Sequence, residues 1–297
     1  MPLINNTPKK FITMKTLKTL IILFALSMGA TSCSDDTEGP MPVTENPLEA
    51  YHLTNSFEAN GHMLELYSEK ERLTTGYNEL YVQIKDLSTG AYIPNASITW
   101  NPMMHMIGMS HSCPKSDITV TEKETVYKGY LVFQMASNAD EYWELNLEYS
   151  FGGATYTTSK RIEVKAPTDG NKTVNVFTGT DDKRYVLAML PFAPKVAIND
   201  FSAVLFEMES MMSFPVVEDY TITIDPRMPG MGNHSSPNNE NLTYDPDSGS
   251  YSGKLSLTMT GYWKINLQLL NASEDVLKGE MVTEGNESSS LYFEIEF

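Results

Sequence analysis

The strongest constraint on the fold is a pattern that the chain carries twice. Tyr127-Lys-Gly129-Tyr-Leu131-Val-Phe133-Gln-Met135 and Tyr251-Ser-Gly253-Lys-Leu255-Ser-Leu257-Thr-Met259 place Tyr, Gly, Leu and Met at identical offsets. Each is followed by a second run, Trp143-Glu-Leu145-Asn146-Leu147 in one and Trp263-Lys-Ile265-Asn266-Leu267 in the other. The spacing between the paired runs differs by four residues, all in the connecting turn, where insertions are tolerated. Upstream, Asn78-Glu-Leu80-Tyr-Val82-Gln-Ile84 matches Asn199-Asp-Phe201-Ser-Ala203-Val-Leu205, and Ile98-Thr-Trp100-Asn-Pro102 matches Ile222-Thr-Ile224-Asp-Pro226. Four blocks in one order predict a duplication, with domain one over 51–166 and domain two over 172–297, joined by Ala166-Pro-Thr-Asp-Gly-Asn-Lys172.

Every block alternates apolar and polar residues with period two, as a half-buried strand requires. Turn signals such as Ser88-Thr-Gly90 and Asp247-Ser-Gly249 separate the blocks. Outside the N-terminal segment no 3.6-residue pattern occurs. Repeats of this length built from short strands predict an all-β chain of two tandem immunoglobulin-like β-sandwiches. Trp143 and Trp263 are expected in the two cores.

The N-terminus has a separate logic. Lys15 and Lys18 precede the apolar run Leu20-Ile-Ile-Leu-Phe-Ala-Leu26, which is too short to span a bilayer. Small residues Gly29, Ala30, Thr31 and Ser32 lead directly into Cys33. That arrangement predicts a bacterial lipoprotein signal over residues 1–33, with Met14 initiating and Cys33 carrying the lipid. The acidic run Ser34-Asp-Asp-Thr-Glu38 resembles the surface-export signal of lipoproteins in Bacteroidetes-like bacteria; the other reading is a plain solvated tether. Residues 34–50, with Pro40, Pro42 and Pro47, are expected to form a disordered linker.

Charge narrows the partners. The chain has 21 Lys and Arg against 38 Asp and Glu, a net charge of −17. Nucleic acid and anionic membrane surfaces need clustered positive charge, so neither is an expected partner of the folded part. The expected partners are a metal ion, the membrane through the N-terminal lipid, and another protein of the cell envelope. No nucleophile elbow, phosphate loop, zinc-protease helix or CxxC pair occurs, so no enzyme is expected.

Methionine is the anomaly, with 18 residues. The informative stretches follow the matched prolines. Domain one has Pro102-Met103-Met104-His105-Met106-Ile107-Gly108-Met109-Ser110-His111-Ser112-Cys113-Pro114, and domain two has Pro226-Arg227-Met228-Pro229-Gly230-Met231-Gly232-Asn233-His234. Three of the chain's five histidines lie in these two stretches. With Asn233 taken as an insertion, Met106 aligns with Met228, Met109 with Met231 and His111 with His234. Thioether, imidazole and thiolate ligands select Cu(I) over hard cations. Methionine needs no deprotonation, so such a site tolerates acid better than one built on cysteine. The expected ligands are Met106, Met109 and His111 in domain one and Met228, Met231 and His234 in domain two. Met103, Met104, His105 and Cys113 are further candidates in domain one. The stretches are expected to be loops, too polar and too broken by Gly and Pro to be core strands. Packing or contact with a partner remains the other use for these methionines, since methionine fills irregular gaps.

The motif Pro-Arg-Met228-Pro-Gly-Met231-Gly-Asn-His234, together with Gly76-Tyr-Asn78-Glu-Leu in the first copy, resembles the YtkA-like domain family, related to FixH-type proteins. The resemblance implies small exported β-sandwich domains with a Met-Pro-x-Met-x-His loop, and a role in copper handling. Domain one departs from it, lacking the proline after Met106. Lesser candidates are Met208, Met211 and Met212, expected at a strand end in the core, and Trp100, expected in the core. His52 and His62 stand alone and are expected at the surface.

Overall fold

A computed structural model describes residues 46–297. The signal peptide, Cys33 and residues 34–45 of the linker lie outside the described residues. The rest of the expected linker does not behave as a tether. Residues 46–50 form a turn, and Leu48, 3% exposed, packs against Tyr67 and Val126. Asn46 caps that turn, accepting from the Leu48 amide and donating to the Tyr67 hydroxyl.

The described chain is all-β, and every strand pairing within its sheets is antiparallel. The first half contains β1 (His52–Ala59), β2 (His62–Ser68), β3 (Gly76–Asp86), β4 (Ser97–Met106), β5 (Met109–His111), β6 (Thr119–Val120), β7 (Tyr127–Phe133), β8 (Tyr142–Phe151) and β9 (Ala154–Ile162). One sheet runs β1-β2-β3-β7-β6 and the facing one β5-β4-β8-β9. Apart from the outer β1, this is the strand order of an immunoglobulin sandwich. The second half contains β10 (Val174–Thr178), β11 (Arg184–Met189), β12 (Ile198–Glu207), β13 (Thr221–Met228), β14 (His234–Ser235), β15 (Glu240–Asp245), β16 (Ser250–Ser256), β17 (Tyr262–Leu270), β18 (Val276–Lys278) and β19 (Leu291–Glu296). Its order is β10-β11-β12-β16-β15 on one side and β14-β13-β17 on the other, with β18 and β19 both pairing with β17. A short β13–β15 pairing at Thr221 and Ile222 joins the two sides into one continuous sheet.

The registers coincide as well as the order. Asn101 faces Asn146 across β4 and β8, and Asp225 faces Asn266 across β13 and β17. Gly129 faces Leu80 in one half, and Gly253 faces Phe201 in the other. These glycines are forced by crowding. A Cβ at Gly253 would lie 2.6 Å from the Glu240 carbonyl oxygen, and one at Gly129 would lie 2.7 Å from the Trp100 ring.

Alternation along each strand sends one set of side chains inward. The first core gathers Leu64, Leu80, Trp100, Leu131, Trp143 and Tyr149; the second gathers Tyr185, Phe201, Leu255, Trp263, Ile265 and Phe293. Neither core takes a residue from the other half. A third, smaller cluster of Val132 with Val186, Ala188, Val204 and Phe206 forms a seam between the halves, flanked by Tyr77 and Tyr130.

Candidate metal centre

The methionine-rich stretches are strands, not loops. Residues 97–106 form β4, turn at Ile107-Gly108, and return as β5. Gly108 takes φ 85°, the left-handed conformation a tight hairpin turn demands. The pairing sets Met104 opposite His111 and Met106 opposite Met109. Residues directly opposite in an antiparallel pair share a face, as do residues two apart on one strand. Met104, Met106, Met109 and His111 therefore lie on one face of the hairpin, the inward one.

That face is graded from core to solvent. Met104 is 0% exposed and belongs to the first core, Met106 is partly buried against it, and Met109 at the hairpin end is 51% exposed. His111 is 8% exposed. Its Nδ1 lies 2.7 Å from the Ser112 carbonyl oxygen. A carbonyl can only accept, so Nδ1 is the donor and Nε2 is the nitrogen left to act as a ligand. Backbone fixation of one ring nitrogen is how proteins orient a histidine whose other nitrogen acts as a ligand. The Trp143 ring stands edge-on to His111 at 5.5 Å between centroids, and Trp143 is also the cross-strand neighbour of Met104.

The second half repeats this row. Met228 lies opposite His234 across β13 and β14, is buried in the second core, and its methyl carbon abuts Gly261. The His234 ring is 6.5 Å from that of Trp263. Here the hairpin end is a 3-10 turn over Pro229–Met231, closed by Gly232 and Asn233 with positive φ. Met231 rides on that turn, 55% exposed, and His234 is exposed.

The strand register corrects the expected alignment. Met228 corresponds to Met104, not Met106, because both sit opposite the histidine of their hairpin. Matching the Met-x-x-Met spacing of 106/109 to that of 228/231 produced the wrong pairing, whereas counting two residues on from Pro102 and Pro226 gives Met104 and Met228. Met103 and His105 point to the other face of β4. His105 stacks on Tyr142 and lies 3.6 Å from Glu144, away from His111. Cys113 is buried in the first core, and burial pushes its thiol well above the usual range. With no metal bound, that burial holds it as a protonated, apolar side chain at neutral pH.

Met211 and Met212 are not core residues. They lie on an exposed loop after β12, and the Met211 carbonyl accepts from the Ser112 amide of the first half at 2.8 Å. Trp100 is in the core as expected, its indole donating to the Ser116 carbonyl. His62 is not at the surface: it is buried against Tyr149, Phe151 and Tyr156.

Sequence reasoning missed Met135 and Met259 as the residues whose carbonyls hold the two indoles. The Trp143 indole donates to the Met135 carbonyl at 2.9 Å, and the Trp263 indole to the Met259 carbonyl at 3.0 Å. Both side chains pack partly buried against their cores. The signal was present in the repeated Tyr-x-Gly-x-Leu-x-x-x-Met block.

Among the described residues no three His, Cys, Asp or Glu side chains come together as a metal site would require. A metal held at either hairpin would need thioether ligands, and the donor set of Met and His fits a soft cation. No protein-family model matches the chain, and no curated protein does. Among solved structures, a DUF4785 family protein from Legionella pneumophila is 10% identical, with a TM-score of 0.24, over 74% of this chain and 56% of that one. The present chain thus spans little more than half of that protein, and a likeness so slight carries no argument about chemistry.

Proposed function

We propose that this chain is an exported, lipid-anchored copper-binding protein of the cell envelope, with no catalysis of its own. Each sandwich holds one soft cation, Cu(I), at its methionine–histidine hairpin. The observation that carries this reading is the recurrence, at the same place in both sandwiches, of a methionine paired across strands with a histidine beside an indole. Packing alone calls for an apolar residue at Met104 and Met228, but not for a histidine facing it. In the first half the ligands are Met104, Met106, Met109 and His111 through Nε2. In the second they are Met228, Met231 and His234. Bound copper would be delivered to or taken from another envelope protein, and the chain would be held to the membrane through a lipid on Cys33.

Anaerobic Cu(I) titration against a chelator of known affinity tests this. We expect two equivalents per chain. Replacing Met104 and Met106 together by Leu should remove one equivalent, and replacing Met228 and Met231 by Leu should remove the other. These changes preserve bulk and apolar character while deleting sulfur. Undiminished affinity after both pairs are replaced would discard the copper reading in favour of a structural or adhesive surface lipoprotein. The anchor is tested separately: Cys33→Ser should abolish lipid labelling and release the protein from membranes.

A further inference from the structure

The outer faces of the two β4-type sheets are built alike but covered differently. In the second half, Asn266 on β17 donates through Nδ2 to the Asp225 carbonyl at 3.1 Å. Its Oδ1 accepts from the Ser289 amide at 2.8 Å. Ser289 ends an excursion, residues 279–290, between β18 and β19. That excursion also accepts from Gln268 through the Gly279 carbonyl, from Asn233 through the Glu287 carbonyl, and from Lys264 through the Ser288 hydroxyl. It straps the outward face of β17, and Asn266 is only 2% exposed beneath it.

The first half has the same platform without the strap. Asn146 on β8 donates through Nδ2 to the Asn101 carbonyl at 3.0 Å, as Asn266 does to Asp225. The β8–β9 connection is only the turn Gly152-Gly153, both with positive φ, so among the described residues this connection lays no strap over the face. Asn146 is half-buried, and among the described residues its Oδ1 accepts no hydrogen bond. A groove of about 490 Å³ opens here, bounded by Thr99, Asn101, Asn146, Glu148, Thr157 and Ser159.

We propose that this groove binds an extended peptide segment of another protein, seated as residues 279–290 are seated on the second half. Its backbone donates to Asn146 Oδ1, and its serine or threonine hydroxyls meet the Thr157 and Ser159 rim. The flanking charges specify the rest. Gln268 shares a hollow with Glu280 of the strap, and its equivalent in the first half is Glu148, which lines the groove; Glu144, at the Lys264 position, lies outside the groove opposite Arg161. The segment that fits is therefore hydroxyl-rich with Lys or Arg where the strap has Glu280, to meet Glu148. The inference is independent of copper binding.

Two synthetic peptides probe this against the purified full chain by fluorescence anisotropy. One has the sequence of residues 279–290; the other carries Lys in place of Glu280. The lysine peptide should bind at least about tenfold more tightly than the native one. Ser159→Trp on the edge strand should weaken it by about tenfold or more by filling the groove. Glu148→Lys, an exposed change that does not depend on the Trp variant folding, should erase or reverse the preference between peptides. Failure of the lysine peptide to bind at millimolar concentration would overturn the proposal, as would binding indifferent to Glu148→Lys.

Discussion

The two hairpins hold the same methionine–histidine pair in different surroundings. In the first, His111 is nearly enclosed, tied by Nδ1 to its own strand, and Met106 and Met109 extend the apolar row outward. In the second, His234 stands open to solvent and the outermost methionine, Met231, sits on a 3-10 turn. What is shared is the part set by strand pairing; what differs is the part set by the turn. Strand register fixes which side chains can meet, while turn geometry decides how far from the core they are presented. The first hairpin is a closed, preorganised version of the arrangement, and the second an open one.

The comparison can be broken at its foundation by removing the indoles. Trp143→Ala and Trp263→Ala should each cost about 3–5 kcal/mol, the usual penalty for emptying a core of an aromatic ring. The two cores share no residue, so hydrogen exchange should show the larger loss of protection in the half that was mutated. Equal loss in both halves from either change would mean that the sandwiches are not separately packed.

A smaller asymmetry is expected at the matched glycines. Gly253→Ala drives a methyl against two backbone carbonyls, at 2.6 and 2.7 Å, which cannot move without breaking the sheet. At Gly129 the nearest obstacle is the Trp100 ring, with the Asp117 carbonyl at 3.0 Å. Overpacking of this kind costs about 1–3 kcal/mol, and denaturant midpoints should fall further for Gly253→Ala than for Gly129→Ala.

Cys113 gives the first half an alkaline pH response that sets in at lower pH than that of the buried tyrosines Tyr185 and Tyr251 in the second. Burial raises its folded value above the unfolded one of about 8.5, so the stability of the neutral thiol is whole below that pH. Above it the unfolded chain releases the proton and the folded one does not, and stability falls by about 1.4 kcal/mol per pH unit. Between pH 7 and pH 10 the native chain should lose more stability than Cys113→Ala does, by about 2 kcal/mol. Parallel pH curves would show that the thiol is not held neutral. A thiol reagent should likewise react only after unfolding.

The smallest effect should be the most discriminating. Met231→Leu at the open hairpin should leave stability within about 0.5 kcal/mol, as exposed substitutions do. Met104→Leu in the closed hairpin should shift it by up to about 1.5 kcal/mol, as volume-conserving core changes do. If both are silent in stability but only Met104→Leu weakens Cu(I), the open hairpin is the weaker ligand set.

Much of the architecture was legible in the chain. The offsets Tyr127, Gly129, Leu131 and their counterparts Tyr251, Gly253, Leu255 recur because the same register places the same glycine against a crowded neighbour. Period two marked the strands because one face of each sheet is buried. The Met104–Met228 equivalence was legible in their common offset from Pro102 and Pro226, but the Met-x-x-Met spacing competed with it. Which histidine each methionine faces depends on where the chain turns, and Gly108 and the Pro229–Met231 turn solve that differently. His62 was misplaced for a related reason: a lone histidine carries no pattern, and only the fold brings Tyr149, Phe151 and Tyr156 around it. The strap at 279–290 went unread because a Ser- and Glu-rich stretch looks like solvent-facing chain, and its partner Asn266 is distant in sequence.

The apolar seam limits how this chain can be cut or reshuffled. Val132 belongs to the first half, and Val186, Ala188, Val204 and Phe206 to the second, yet all five are buried together. Severing the chain near Pro167 would strip each piece of its cover and leave a sticky flank on both. Exposed apolar patches of that kind lead to aggregation or to capture of a foreign partner. Either half used alone as a building block would need a polar replacement at Val132, or at Val186, Val204 and Phe206, before it could stand in water.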